Sequence, residues 1–190
     1  ETLQVVKPDF ETLVEQTIRS DAYFFAQFFA LDVSDARFRQ ILIKNIQPKN
    51  RPERFLSNLK DALWRVHRNT ETFDLIDTEI HDMLKFLYKD VDTDDALHFA
   101  KSKTKDRRTV NLLASGQKTK REALGNLVDS YHRAKRTTEY EHSLLAVDFY
   151  IDFIHLAPFK HHNHLIGLFT LYILLISYDY RAFHLSSFFE

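Results

Sequence analysis

No cysteine occurs in the 190 residues. Disulfides and thiolate metal sites are therefore excluded, and the composition fits a cytoplasmic protein. Turn formers are scarce too, with 3 Gly and 4 Pro. So little punctuation argues against a strand-rich fold and for helices. The net charge is −1, so the chain as a whole has no attraction for a polyanion. The longest apolar stretch, Leu165 to Tyr178, falls short of the roughly 20 residues that span a bilayer as a helix. It reads as a buried central helix. The N-terminus lacks a basic segment followed by an apolar run, so no signal peptide is expected.

Aromatic residues are plentiful: 17 Phe and 8 Tyr. Phe10, Leu13, Val14, Thr17 and Ile18 recur at helical spacing. The run Tyr23, Phe24, Phe25, Phe28 and Phe29 is expected in a core, because aromatic burial is strongly favourable. Ser34 is the expected N-cap of a helix through Ile46. Residues 47–52 read as a linker, with Pro52 in the first turn of the next helix. Phe55, Leu59, Leu63 and Val66 mark that helix, and Leu75, Ile76, Ile80, Met83, Leu84 and Leu87 mark another. The pattern breaks over residues 90–120. It returns at Ala123, Leu124, Leu127, Val128 and Tyr131, then over Ser143 to His155. Ala157-Pro158 ends that helix, because proline removes a donor and disfavours helical geometry before it.

Two clusters carry candidate chemistry. His155, His161, His162 and His164 cluster, and His161, His162 and His164 are candidate ligands for Zn²⁺ or another borderline metal. No acidic residue lies between Asp152 and Asp179 to complete such a site locally; a polar loop is the simpler reading. Lys101, Lys103, Lys105, Arg107 and Arg108 form a basic run. It lacks interleaved aromatics for base stacking, and Asp90, Asp92, Asp94 and Asp95 stand nearby to neutralise it. A solvated face is expected, and nucleic-acid binding is not.

The order of segments over residues 70–190 resembles the Fic (Fido-fold) family. Glu122 to His132 resembles the helix before its core, and Ser143 to Ile154 the helix that feeds its active loop. Ala157-Pro-Phe-Lys-His-His-Asn-His-Leu-Ile-Gly-Leu168 stands where the family has His-Pro-Phe-x-Asp/Glu-Gly-Asn-Gly-Arg-x-x-Arg. Pro158, Phe159 and Asn163 match. Ala157 replaces the His, His161 the acidic residue, His162 and His164 the two Gly, and Leu165 and Leu168 the two Arg. Arg108, Thr109 and Val110 resemble the flap over the family's active site. The resemblance implies an all-α Fic-like bundle with a small β-hairpin flap over residues 101–116. Residues 1–69 form an N-terminal helical segment, and residues 70–190 the Fic-like domain.

Fic enzymes transfer AMP from ATP to a protein hydroxyl. The resemblance implies ATP and Mg²⁺ as ligands, and a bacterial source. The replacements imply the opposite for this chain. A general base must reach its proton within about 3 Å, and Ala157 has no proton acceptor. Mg²⁺ prefers oxygen ligands, which His161 lacks. Glycines let backbone N–H groups cradle phosphate, whereas His162 and His164 are expected to crowd the turn and to resist positive φ. Leu165 and Leu168 carry no charge for phosphate oxygens. The reading is a Fic-like pseudoenzyme that binds no cofactor and serves a protein partner, with its oligomeric state open. The alternative is a nucleotidyl or phosphoryl transferase, or a metal-dependent enzyme, whose altered chemistry uses the His-rich loop. Pro158, Phe159, Asn163 and Gly167 have structural explanations. Asn163 is expected to cap the helix that follows, and Gly167 to allow close helix packing.

Overall fold

The computed structural model describes residues 10–69, 75–101, 119–137 and 141–178. Among them the fold is all-helical, with seven α-helices, one 3-10 turn and no strand beyond a single isolated bridge. The hairpin expected over residues 101–116 lies outside the described residues from 102 onwards, and with it Arg108, Thr109 and Val110. The chain divides into two compact units. The first is Glu1–Arg68 with Ala182–Glu190, and the second is Asn69–Arg181.

In the first unit, α1 spans Phe10–Phe28, α2 Asp35–Lys44 and α3 Arg51–Asn69. Ser34 caps α2 as expected, accepting from the Arg37 N–H at 3.4 Å. The helix stops at Lys44, two residues early, because Asn45 turns left-handed (φ 52°) and its N–H returns to the Gln40 carbonyl. Asn50 accepts from the Glu53 N–H at 2.9 Å and so starts α3. Phe55, Leu56, Leu59, Ala62 and Leu63 form the buried stripe of α3. Beside it, Arg37 grips the Glu53 carboxylate with two bonds of 2.8 and 2.6 Å, and the Lys49 N–H adds a third at 2.7 Å. The guanidinium and that N–H hold Glu53 down at about 2.

The aromatic run of α1 does not go into the core as a block. Phe25 is fully buried, while Tyr23 and Phe28 are almost half exposed. The reason is geometric. A helix turns about 100° per residue, so neighbours such as 23, 24 and 25 cannot share one face. Tyr23 instead lies edge-on to Phe38 of α2, with centroids 5.2 Å apart.

The second unit holds α4 (Asp77–Leu87), the 3-10 turn Asp94–Leu97, α5 (Lys120–Thr137), α6 (His142–Leu156) and α7 (Asn163–Ser177). Thr119 and Glu122 open α5 with a reciprocal capping box. Each side chain accepts from the other's N–H at 3.2 Å. α6 packs on α5 and on α7, and α4 touches α5 and α7. Every residue of α7 from Leu165 to Ile176 is buried, so it is the central helix of the unit. No helix among the described residues is long and apolar enough to cross a membrane.

Gly167 lets α7 approach α6. A Cβ there would lie 2.9 Å from Ile154 Cδ1 and 3.0 Å from Phe153 Cδ1. A Cβ on Gly125 would meet nothing within 4 Å. Alanine therefore has opposite consequences at the two sites. Gly125→Ala is expected to raise stability by about 1 kcal/mol through helix propensity. At Gly167 overpacking of about 1–3 kcal/mol offsets that gain, so Gly167→Ala is expected to be destabilising or neutral. Urea unfolding of the two variants checks the contrast; equal stabilisation by both would refute it.

Candidate functional site

The loop 157–162 joins α6 to α7, and both of its ends are left-handed. Ala157, the C-cap of α6, has φ 43°, and its N–H donates to the Phe153 carbonyl at 2.9 Å. His162, the N-cap of α7, has φ 64° and makes no capping bond with its side chain. The expectation that histidine would resist positive φ at this turn is corrected here. His162 adopts it because its ring is held elsewhere. The ring stacks on Tyr88 at 3.7 Å between centroids, and Nε2 donates to Asp92 at 2.7 Å.

Asn163 does not cap α7, contrary to expectation. His162 occupies the cap position, and the Asn163 side chain reaches back to Phe159 instead. Its Oδ1 accepts from the Phe159 N–H at 2.9 Å, and its Nδ2 donates to the Phe159 carbonyl at 2.8 Å. Pro158 and Phe159 are buried. Phe159 forms the isolated antiparallel bridge with Phe99. Bonds from Ala100 N–H to the Pro158 carbonyl (2.8 Å) and from Lys160 N–H to the His98 carbonyl (2.9 Å) flank it. His81 of α4 lies against both rings, 4.9 Å from Phe99 and 5.4 Å from Phe159. Its Nε2 donates to the Leu97 carbonyl at 3.1 Å, and burial pushes its pKa down.

The acidic cluster between α4 and the 3-10 turn serves this loop. Asp92 takes the His162 proton donor, and Asp95 takes the Lys160 ammonium at 2.6 Å. The hydrogen bond from His162, with the Thr93 N–H behind it, holds Asp92 below the usual carboxylate range, and Lys160 does the same for Asp95. Two side chains of the loop are thus clamped to one turn. Both carboxylates have lowered pKa values, so their stabilisation is full above their ordinary value of 3.8 and is lost as pH falls through the lowered one. Asp92→Asn is expected to lower the thermal midpoint at pH 6. It is also expected to flatten the decline of that midpoint below pH 4. An unchanged acid decline would show that the clamp contributes nothing there.

The remaining candidates separate. His161 and His164 are exposed, while Leu165 and Leu168 are buried in the core of the unit. Among the described residues no three His, Asp or Glu side chains gather to hold a metal. Reading residues 152–179 alone missed Asp92, which long-range folding brings to His162. It also missed Lys120, which is buried at the start of α5. Its ammonium donates to the Leu156 carbonyl at the end of α6, where the helix dipole favours a cation. Burial pushes the Lys120 pKa down. The one clue to Lys120 in the sequence is its place inside the Thr119–Glu122 capping box.

The loop is a packed turn, with Pro158 and Phe159 buried. Ala157 supplies no base. Leu165 and Leu168 are core residues. The polar side chains Lys160, His162 and Asn163 each have a partner: Lys160 holds Asp95, His162 holds Asp92, and Asn163 bonds back to Phe159. No protein-family model matches the chain, and no curated protein matches its sequence.

Proposed function

We propose that the second unit is a Fic-like scaffold without transferase chemistry, kept for binding a protein partner. The helix–loop–helix order of α6, loop 157–162 and α7 supports the likeness. The burial of Leu165 and Leu168 carries the functional half of the reading. A phosphate chain at the start of α7 would need cationic side chains there, and these two point into the core instead. Ala157 removes the general base. The exposed partners of this loop are His161 and His164, so the candidate docking surface is the solvent face of residues 160–164.

Calorimetry with ATP tests the reading, run alone, with Mg²⁺ and with Zn²⁺. No binding heat is expected in any of the three, and no AMP transfer from labelled ATP to protein. Metal-dependent ATP binding would reject the scaffold and turn attention to the His-rich loop as a site of altered chemistry.

A further inference from the structure

Residues of α1, α2 and α3, with Asn45 just after α2, line a cavity of about 200 Å³ in the first unit. Ile18 of α1 and Leu42 of α2, both buried, and Trp64 of α3 supply its apolar lining. The charged lining is unbalanced. Glu15 and Arg19 stand one turn apart on α1 and pair with each other at 3.1 Å, so they cancel. Lys60 of α3 is the remaining charged residue of the lining. Its ammonium donates to the Ile41 carbonyl at 3.4 Å and to Asn45 Oδ1. Both acceptors are neutral, so among the described residues the ammonium is held in place without a counter-charge. Asp61 follows Lys60 in sequence, but adjacent residues of a helix do not face each other. It lines a second cavity, of about 220 Å³, that shares Asn45 and Lys60 with the first.

An ammonium has three donors, and two of these are used by the protein. A carboxylate would take the third in a charge-assisted bond and neutralise the group. A cationic ligand would meet the like charge of Lys60 and would have to displace Arg19 from Glu15. The C-terminal end of α2 disfavours an anion nearby. That end is already closed, since Lys60 donates to the Ile41 carbonyl and the Asn45 N–H to the Gln40 carbonyl. Ligand sites are mostly apolar with a few fixed polar groups, and those for drug-sized molecules measure about 300–1,000 Å³. A smaller cavity of this kind suits one ring and its head group. We propose that it binds a small aromatic carboxylate, with the ring against Trp64, Ile18 and Leu42 and the carboxylate on the Lys60 ammonium. The site is independent of the Fic-like reading, because it lies in the other unit and takes a different ligand.

Trp64 is the sole tryptophan of the chain, so its fluorescence reports on this cavity. Benzoate is the probe, titrated into the full chain. It is expected to quench the emission saturably. Benzamide, the same ring without the charge, is expected to bind about tenfold or more weakly, as for the loss of one hydrogen bond to a charged group. Lys60→Met keeps an apolar stem and is expected to weaken benzoate by a similar factor, while Lys60→Arg restores part of it. Lys60 also closes α2, so a measurement on the unaltered chain stands beside the variants. Benzoate is expected to shift the NMR signals of the Trp64 indole N–H and of the Ile18 and Leu42 amides, with α5 to α7 unmoved. Absence of both saturable quenching and these shifts would overturn the proposal. Benzamide binding as tightly as benzoate, or Lys60→Met binding benzoate as the wild type does, would overturn it as well.

Discussion

Leu168→Arg is expected to unfold the second unit rather than to rebuild a phosphate site. The substitution introduces the arginine that the proposed Fic likeness would put there, so sequence logic alone would read it as a gain. The structure reverses that expectation. Leu168 is fully buried, in the middle of a helix whose residues from 165 to 176 are all buried. Among the described residues the only buried charged side chain of this unit is Lys120, itself a cation. An uncompensated buried charge costs several kcal/mol, about 3–5 where breaking a buried pair has been measured. Whole domains are stable by only about 5–15 kcal/mol. The thermal midpoint is therefore expected to fall by more than about 10 °C, and ATP binding to stay absent. Leu168→Met keeps the volume and is expected to cost under about 1.5 kcal/mol. Melting followed by circular dichroism compares the two. A folded Leu168→Arg that gained ATP binding would mean the start of α7 can cradle phosphate, and the scaffold reading would fail with it.

The helices were legible where side chains repeat on one face. Ile80, Leu84 and Leu87 of α4, and Leu124, Leu127 and Tyr131 of α5, are buried as their spacing predicts. Ser34 and Gly167 were legible for local reasons: a side chain that caps, and a residue small enough for a helix crossing. The Thr119–Glu122 box was equally readable in principle, and it would have placed the start of α5 three residues before Ala123. In the aromatic run of α1 residue type predicts burial for every ring, whereas helical angle allows it for only one side. The loop departs from its local pattern for a different reason. Asp92 and His162 are 70 positions apart, and no local pattern links them. Asn163 has the residue type of a cap, yet the cap position belongs to His162, whose ring Tyr88 and Asp92 hold. Local rules give the menu for such a turn; the long-range partners choose from it. The proposed likeness to Fic proteins rests on segment order and three matching residues, two of which have structural work to do here.

Phe159 is one of those two, and its removal is the second large effect expected. The ring is buried among His81, Phe99 and Phe153, with centroids at 5.4, 5.0 and 6.3 Å. Its backbone is bonded through both N–H and carbonyl to Asn163. Phe159→Ala is expected to cost about 3–5 kcal/mol, the usual range for a buried Phe. Phe159→Leu should recover much of that, because it refills part of the cavity. A second readout separates this position from ordinary core. His81 stacks on the ring, and burial depresses its pKa from the ordinary 6.5. The unfolded chain then binds more protons than the folded one just below that value. Stability is full above pH 6.5 and declines as pH falls through the depressed value. Opening the site in Phe159→Ala lets water reach the imidazole, so the His81 pKa should move back up and this decline should shrink. Titration of the His81 ring by NMR in the wild type and in Phe159→Ala checks the shift. If the ring titrates alike in both, Phe159 does not shield His81, and the loop is anchored by its backbone bonds and the Asp92 and Asp95 clamp instead.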